Sequence, residues 1–264
     1  MPNCYVYRED VKTYLGITGT GDNTLIENIT ERASRIWDAL TRRFFYELRQ
    51  TRYFNYEDDY ILHLNADLLS LTTLTNGDGT VIDDYILYPL NLYPKLRVEC
   101  DKSSTGFVYT STPQRAISIL GLWGFHDDYS YAWASSGDTV QDNPLTSSAT
   151  TLNVTSGGNF KVQQTIKIED EQLYITAISS NALTVQRGKN GTTAASHVKT
   201  TAIYIWAPPA DVVHWCLRLA AWLFRQKDAP FMKVGFRDLG VVEVPAALPP
   251  DIEQAARQYM RVRV

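Results

Sequence analysis

The sequence predicts an α+β protein whose helices lie towards its two ends and whose middle is rich in strands. Apolar residues recur at helical spacing from Asp22 to Phe45 and again from Pro209 to Gln226. Between these segments, short runs of alternating apolar and polar residues are separated by Gly, Asn and Asp turn signals. This layout predicts helices that flank a β-rich insertion and that must meet in space if they share one core.

Composition excludes several classes of protein. The chain has 264 residues, of which 44% are hydrophobic, which is enough for a folded domain and too high for disorder. Its net charge of −4 does not favour nonspecific binding to nucleic acid. Cys4, Cys100 and Cys216 are far apart and form no CxxC pair, which is typical of a reducing cytoplasm. We expect no signal peptide and no membrane span, because the first residues lack a charged and apolar leader and the apolar C-terminal helix is too short.

The first elements are two helices. Arg8 to Leu15 forms a short helix that Gly16 ends. Asp22 or Asn23 caps the longer helix, in which acidic residues come early and basic residues come late, as the helix dipole favours.

A β region follows the long helix. Its clearest turn signal is Asn76-Gly-Asp-Gly79, which is typical of a hairpin. The stretch from Trp123 to Asn143 reads as a long loop or linker. Strands are predicted at 51–56, 60–64, 68–75, 80–82, 85–88, 96–99, 106–109 and 116–122.

A second β region extends from about Thr139 to Trp206. Five short strands with clean alternation and Gly, Ser or Asn turns predict a small barrel or sandwich. The apolar rows are Leu152 and Val154, Ile166 and Ile168, Leu173 and Ile175, Leu183 and Val185, and Ile203 and Ile205. After the Pro209 helix, Phe231 to Val244 is predicted to be extended or a loop, and Pro249-Pro250-Asp251 starts a last helix that continues through Arg261.

Two sets of motifs carry a resemblance to known proteins. The first comprises Asp10-Val-Lys-Thr-Tyr-Leu15, Asp22-Asn-Thr-Leu-Ile26, the helix that ends near Thr41-Arg-Arg43, the Asn76 hairpin and Pro208-Pro-Ala-Asp-Val212. Their order resembles the head–tail connector (adaptor) family of long-tailed bacteriophages over residues 7–123 and 208–227. The second comprises Ile168-Glu-Asp-Glu-Gln-Leu-Tyr174, Leu183-Thr-Val-Gln-Arg-Gly188, Asn190-Gly-Thr192 and Ala194-Ala-Ser-His197. It is similar to a small β module that recurs in phage structural proteins.

The resemblance implies an organisation and a function. Residues 1–138 and 207–264 would be the two parts of a mainly helical connector domain with a β-hairpin or sheet region, and residues 139–206 an inserted β module whose role stays open. Connectors of this family form a ring, usually dodecameric, below the portal protein in the virion neck. Genomic DNA passes through the ring without sequence-specific binding, and a tail terminator or stopper protein attaches beneath. We expect assembly in the host cytoplasm and no role for a membrane.

The C-terminal tail is the predicted portal-binding element. It combines an apolar stripe with basic residues, so it either docks into a partner groove or folds back onto its own helices, and the resemblance favours docking. A chain truncated after Pro245 is therefore expected to stay folded and to fail in head joining. The predicted portal-binding residues are Ile252, Ala256, Arg257, Tyr259, Arg261, Val262 and Arg263.

A second set of residues is predicted to contact neighbouring subunits. Trp37 lies on the long helix, and the segment after the Pro209 helix either forms an arm that adds a strand to a neighbour or is an ordinary connection. The residues expected in such an arm are Phe231, Phe236, Val242 and Val244.

No catalytic, cofactor or metal motif stands out. Arg187-Gly-Lys-Asn-Gly191 lacks the Gly-Lys-Ser/Thr ending of a phosphate loop and is predicted to be a turn. The acidic segment Glu169-Asp-Glu171 and the Asp doublets at 58–59, 83–84 and 127–128 adjoin predicted turns and lack calcium-loop spacing. The four histidines share no metal-ligand spacing, and we expect His214 to bond between helices. We therefore expect a protein that is not an enzyme and that has no cofactor.

Three alternatives stay open at this stage. The β module alone is compatible with a tail or baseplate component. The sixteen Tyr and six Trp residues are compatible with a carbohydrate-binding module, or with surfaces buried on assembly. The acidic pairs are compatible with a hydrolase.

Overall fold

The computed structural model describes residues 3–103, 105–228, 233–236, 240–243 and 248–261. This part of the chain has the predicted α+β fold, with four α-helices, two antiparallel sheets of five and six strands, and a separate two-stranded hairpin. None of the described helices is both long and apolar enough to cross a bilayer.

The helices lie close to their predicted positions. They are α1 (Arg8–Leu15), α2 (Asn23–Thr41), α3 (Ala210–Arg225) and α4 (Pro250–Tyr259). Helix α1 ends at Gly16, whose φ of 71° is left-handed. Helix α2 ends before the predicted Phe45, because Arg42 adopts a left-handed conformation with φ of 56° and turns the chain into the β region.

The two ends of the chain form one helical core. Helix α2 packs against α3, and both α1 and α4 pack against this pair. The core contains the fully buried Trp37 of α2 and Leu219 of α3, and it extends to Tyr5 and Phe45 outside the helices. The expectation that the flanking helices meet in space is therefore confirmed.

The first sheet follows α2 directly. It consists of β1 (Leu48–Phe54), β2 (Ile61–Thr75), β3 (Tyr85–Tyr88), β4 (Lys95–Cys100) and β5 (Ile117–Trp123), in the order β1-β5-β2-β4-β3. The predicted strands 60–64 and 68–75 are one strand, whose pairing with β4 shifts register between His63 and Leu68. The segment 80–82 pairs back on β2 across the Asn76 turn, as predicted, but only through the bridge Thr75–Val81 and the bond from Ile82 N to Leu74 O, so it is not a full strand. The predicted strand 106–109 is wrong, since it forms the isolated bridge Gly77–Tyr109 and no ladder.

The second sheet belongs to the inserted module. It consists of β6 (Trp133–Thr139), β7 (Thr151–Asn153), β8 (Thr165–Ile168), β9 (Glu171–Ser179), β10 (Ala182–Gln186) and β11 (Ala202–Trp206), in the order β6-β11-β8-β9-β10-β7. The predicted apolar rows fill its core, which confirms the strand pattern. Of the two predicted alternatives, a small barrel or a sandwich, the closed barrel is not formed, because the outer strands do not pair as a ladder. The chain beyond β6 meets the end of β7 through the backbone hydrogen bond from Gln141 N to Asn153 O.

The module begins earlier than the predicted boundary at 139. Strand β6 starts at Trp133 and pairs with β11, so part of the segment predicted to be a linker belongs to the sheet. Its sequence, Trp-Ala-Ser-Ser-Gly-Asp-Thr, lacks apolar alternation because most of its side chains are not in the module core. Backbone pairing with β11 holds this strand, and a hydrophobic pattern does not report such pairing.

The C-terminal segment contains a hairpin and a returning helix. Strands β12 (Lys233–Phe236) and β13 (Gly240–Glu243) pair with each other, and neither joins another described sheet. Helix α4 then packs back against α2 and α3.

Candidate functional site

The apolar stripe of the tail is buried inside the chain. Ile252 and Ala256 are 1% and 2% exposed and belong to the helical core. This corrects the predicted portal contact by these two residues, because a partner cannot reach them while α4 stays packed. The expectation that a chain truncated after Pro245 stays folded is corrected as well, because the truncation removes part of the helical core.

The other predicted tail residues have different surroundings. Tyr259 packs edge-on against Phe45 and Phe125, and its hydroxyl donates a hydrogen bond to Asp211. Arg257 is exposed and remains available to a partner. Arg261 donates to the backbone oxygen of Leu64 at 3.0 Å. Val262 and Arg263 lie outside the described residues.

The predicted subunit contacts also include a buried residue and residues outside the described part of the chain. Trp37 has no exposed surface, so the prediction that it contacts a neighbouring subunit is corrected: its indole fills the core between α2 and α4. Phe236 and Val242 lie in the self-paired hairpin, and their role stays a prediction. Phe231 and Val244 lie outside the described residues.

Polar side chains fasten the inserted module to the helical domain. Asn190 and Asn3 form a reciprocal amide pair at 2.8 and 2.9 Å. Gln163 donates to the backbone oxygen of Glu27 at 3.0 Å and accepts from the hydroxyl of Thr30 at 2.9 Å. These groups are largely buried, so each bond satisfies a donor or acceptor that water does not reach. The module is therefore held at a defined position on α2 and on the N-terminal segment.

The turn Asn190-Gly191 also contacts the first sheet. The backbone N–H of Arg49 donates to Asn190 O at 2.9 Å. A Cβ on Gly191 would lie 2.0 Å from Arg49 O, and Gly191 has φ of 79°. Glycine is required here because both the close approach and the left-handed backbone exclude a side chain. The sequence prediction of a turn is confirmed, and the structure shows what the turn contacts.

A buried carboxylate lies at the same junction. Glu47 is 4% exposed and accepts hydrogen bonds from Trp133 Nε1 and Gln172 Nε2, both at 2.8 Å, and from the hydroxyl of Tyr129. Nearby, Trp206 Nε1 donates to Phe45 O at 2.9 Å. Since Trp133, Gln172 and Trp206 are module residues, Glu47 joins the two parts of the protein.

The motif residues of the module form a second buried network. Arg187 Nε donates to one carboxylate oxygen of Glu171 and Nη2 donates to the other, each at 2.7 Å. The carboxylate of Glu171 also accepts from His197 Nε2 and from the backbone N–H of Gly188 and Ala195. Arg187 Nη1 additionally reaches the backbone oxygens of Thr146 and Ala149. Arg187 therefore holds loops of the module in place, which explains structurally why Arg187-Gly188 and His197 occur together in this sequence.

The remaining acidic and histidine residues in the described part of the chain include turn residues and surface residues. Asp58 accepts hydrogen bonds from the backbone N–H of Tyr60 and Ile61, as expected of a turn residue. His214 is exposed, which corrects the expectation that it bonds between helices. Within the described residues, no group of three or more His, Cys, Asp or Glu side chains is placed to hold a metal ion.

Comparison with known proteins assigns this chain to no family. No protein-family model matches the chain, and no curated protein matches it either. The resemblance to phage connectors therefore stays a prediction from the motifs, and the geometry of the chain has to support any function.

One exposed apolar surface was not predicted from the sequence. In the hairpin formed by β3 and β4, Leu90 and Leu92 in the turn are 59% and 65% exposed, and Ile86 and Leu96 are exposed on the strands. Strand β3 is also a free edge of the five-stranded sheet. Exposed apolar residues beside a free strand edge are typical of an interaction surface. Two leucines in a polar, Pro-flanked turn are the sequence signal that points to it.

Proposed function

We propose that this protein is a virion structural protein, a head–tail connector that forms a ring below the portal protein. In this role it is not an enzyme and uses no cofactor. Its ring surrounds the path of the DNA, binds the portal on one side and provides the attachment point for a tail terminator or stopper protein on the other. The location that follows is the virion neck, after assembly in the host cytoplasm.

The observation that carries the proposal is the shared core of α2 and α3. These helices flank both β regions, yet Trp37 and Leu219 lie in the same core. A helical frame closed by both ends of the chain, with β elements between them, is the organisation that the motif resemblance implies. A rigid frame of this kind suits a protein whose task is to keep interfaces in fixed relative positions.

Surfaces without a partner in the single chain also support assembly. The β12–β13 hairpin pairs only with itself among the described strands, and an isolated hairpin is marginally stable in water. The β3–β4 hairpin exposes Leu90 and Leu92 beside a free strand edge. Both features favour burial against another subunit. In a closed ring every such contact is repeated, so weak single contacts give a stable assembly.

The hydrogen bonds that hold the module against the helical frame are also compatible with a role as a ring subunit. The pairs Asn3–Asn190 and Glu47–Gln172 hold the module against the frame through buried hydrogen bonds. A module fixed in this way moves with the ring and extends its wall. No observation on the described residues favours a hydrolase. A carbohydrate platform built on tryptophan is also not favoured, because the six Trp side chains are all buried or half-buried.

The test is the position and copy number of the chain in assembled particles. Necks are isolated, the ratio of this chain to the portal protein is measured by quantitative mass spectrometry, and gold-labelled antibody locates it by electron microscopy. We expect label at the head–tail junction and a copy number that matches the portal ring. Label at the distal tail would favour the tail or baseplate alternative, and absence from the junction would reject the proposal.

A further inference from the structure

A groove rich in arginine lies between the first sheet and the end of the tail. The part nearer β3 has a volume of about 670 Å³ and an apolar lining of Leu64, Tyr88, Pro89, Leu96 and Met260. The adjoining part has a volume of about 820 Å³ and contains Arg52 and Asp67. Arg43, His63 and Arg261 line both parts, so the two form one continuous groove.

Positive charge exceeds negative charge along the groove. The buried carboxylate of Asp67 has Arg43 Nη1 at 3.0 Å and Arg261 Nη1 at 3.9 Å. Arg52 adds a third guanidinium group, whose pKa is lowered by burial and further by the charge of Arg261. Glu57 also lines the groove but is exposed to water. This concentration of cations stands out in a chain whose net charge is −4.

Two guanidinium N–H groups of the groove residues have no acceptor. The Nε atoms of Arg43 and Arg97 are buried, and neither has a hydrogen-bond partner among the described residues. A buried donor left without an acceptor costs free energy, which a partner can recover by supplying one. A carboxylate is the acceptor that guanidinium groups bind most strongly in proteins, along with phosphate.

We propose that this groove binds a peptide segment of a partner protein that carries acidic and apolar side chains close together. The carboxylates pair with Arg261 and with Arg97, whose Nη2 also lies 2.7 Å from Glu99, and the apolar side chains cover Leu96 and Met260. Both of these apolar residues are exposed in the single chain. The inference holds whether or not the protein forms a ring, because it depends only on the lining of the groove.

The charge and the apolar lining of the groove favour an acidic and apolar peptide over nucleic acid and over the C-terminal residues of this chain. The phosphodiester backbone of nucleic acid has no apolar group for the half of the groove lined by Leu64, Leu96 and Met260. The residues of this chain that follow Arg261 are Val-Arg-Val, which would bring one more cation to a groove that already has an excess. A peptide with both acidic and apolar residues matches both halves.

The experiment is a selection from a library of displayed random peptides of about 12 residues, of the length that recognition grooves engage. The full chain is the bait, and selected peptides are then labelled with fluorescein and titrated by fluorescence anisotropy. Two groove variants, Leu96→Glu and Arg97→Ser, are compared with the matched controls Val198→Glu and Arg225→Ser. The controls replace an exposed Val of the module and an exposed Arg at the end of α3. Circular dichroism confirms that all four variants are folded.

We expect the selected peptides to contain Asp or Glu beside Leu, Ile, Phe or Tyr. Affinity should fall about tenfold or more in the groove variants, as for loss of a central contact, and stay near the parent value in the controls. The proposal is overturned if no selected peptide depends on the groove or if the selected peptides are basic. It is also overturned if labelled duplex DNA binds the groove more tightly than peptide. Peptide binding only after deletion of residues 262–264 would identify the chain's own tail as the occupant and reject a partner.

Discussion

Arg187 donates hydrogen bonds to both carboxylate oxygens of Glu171, each at 2.7 Å, with 7% and 1% of the two side chains exposed. This bidentate pair is the centre of the inserted module, because Glu171 also accepts from the loop backbone and from His197. Burial alone raises the pKa of Glu171, but the hydrogen bonds from Arg187, Ala195, His197 and Gly188 outweigh it and lower the pKa to about 2.

The first prediction is that Glu171→Gln strongly destabilises the module. The substitution keeps the size of the side chain but leaves Arg187 buried without its counter-charge, which typically costs about 3–5 kcal/mol. Chemical denaturation monitored by circular dichroism measures the loss. Glu169→Gln is the matched control, because Glu169 is 60% exposed and contacts only the other nitrogen of His197, so its cost should stay below about 1 kcal/mol. Equal effects of the two substitutions would contradict the central role of Glu171.

The second prediction concerns acid. Because the folded pKa of Glu171 lies below its ordinary value of 4.5, its contribution to stability is complete above that pH. It is lost as the pH falls from 4.5 towards about 2, where the folded protein must also take up the proton. Thermal unfolding across this range should show a steeper fall of the midpoint in the parent chain than in Glu171→Gln. Parallel curves would show that another group causes the acid sensitivity.

The third prediction addresses the junction between the module and the frame. Glu47→Gln replaces one of the two buried oxygens by an amide nitrogen, which cannot accept, so either the bond from Gln172 or the bonds from Trp133 and Tyr129 are lost. We expect a loss of about 1–3 kcal/mol, as for a buried donor without an acceptor. Hydrogen exchange should become faster in β6 and around residues 129–133. Glu253→Gln, on the exposed side of α4, is the control and should leave exchange there unchanged.

The fourth prediction separates a structural from a docking role of α4. Ile252→Ala creates a cavity in the helical core and should cost about 2–5 kcal/mol of unfolding free energy. Arg257→Ala, on the exposed face, should change stability by less than about 0.5 kcal/mol. If Ile252→Ala leaves denaturation unchanged, the packing of α4 on α2 and α3 is not maintained in solution.

The fifth prediction tests the exposed leucines of the β3–β4 hairpin. Leu92→Asp should leave the fold intact, because the side chain is 65% exposed, but should weaken assembly by placing a charge where apolar contact is expected. Mass photometry over a range of concentrations measures the assembled fraction. Val198→Asp changes an equally exposed apolar residue of the module and is the control. Assembly that both variants reduce equally, or that neither reduces, would contradict an interface at the hairpin.

Local periodicity was enough to predict most elements. The helical spacing of α1 and α3 gave their bounds to within one residue, and the apolar rows from Leu152 to Ile205 identified the core of the module. These predictions succeeded because side chains that repeat every second or every third to fourth position must share one face of a strand or helix. The same reasoning missed β6, whose position depends on backbone pairing with β11.

Burial of individual site residues could not be predicted in this way. An amphipathic helix has the same pattern whether its apolar face packs on its own chain or on a partner, so α4 was compatible with both. The arginine groove was missed because Arg43, Arg97 and Arg261 are far apart in sequence and meet only through the register of β2 and β4 and the return of the tail.

The sequence by itself determined the α+β class, the helices at the two ends and the apolar rows of the module, because each depends on neighbours along the chain. The tertiary structure decided that Arg187 pairs with Glu171, that α4 covers Trp37 and that the arginines line one groove. Those relationships join residues distant in sequence. Their geometry depends on strand register and helix packing, which local patterns do not specify.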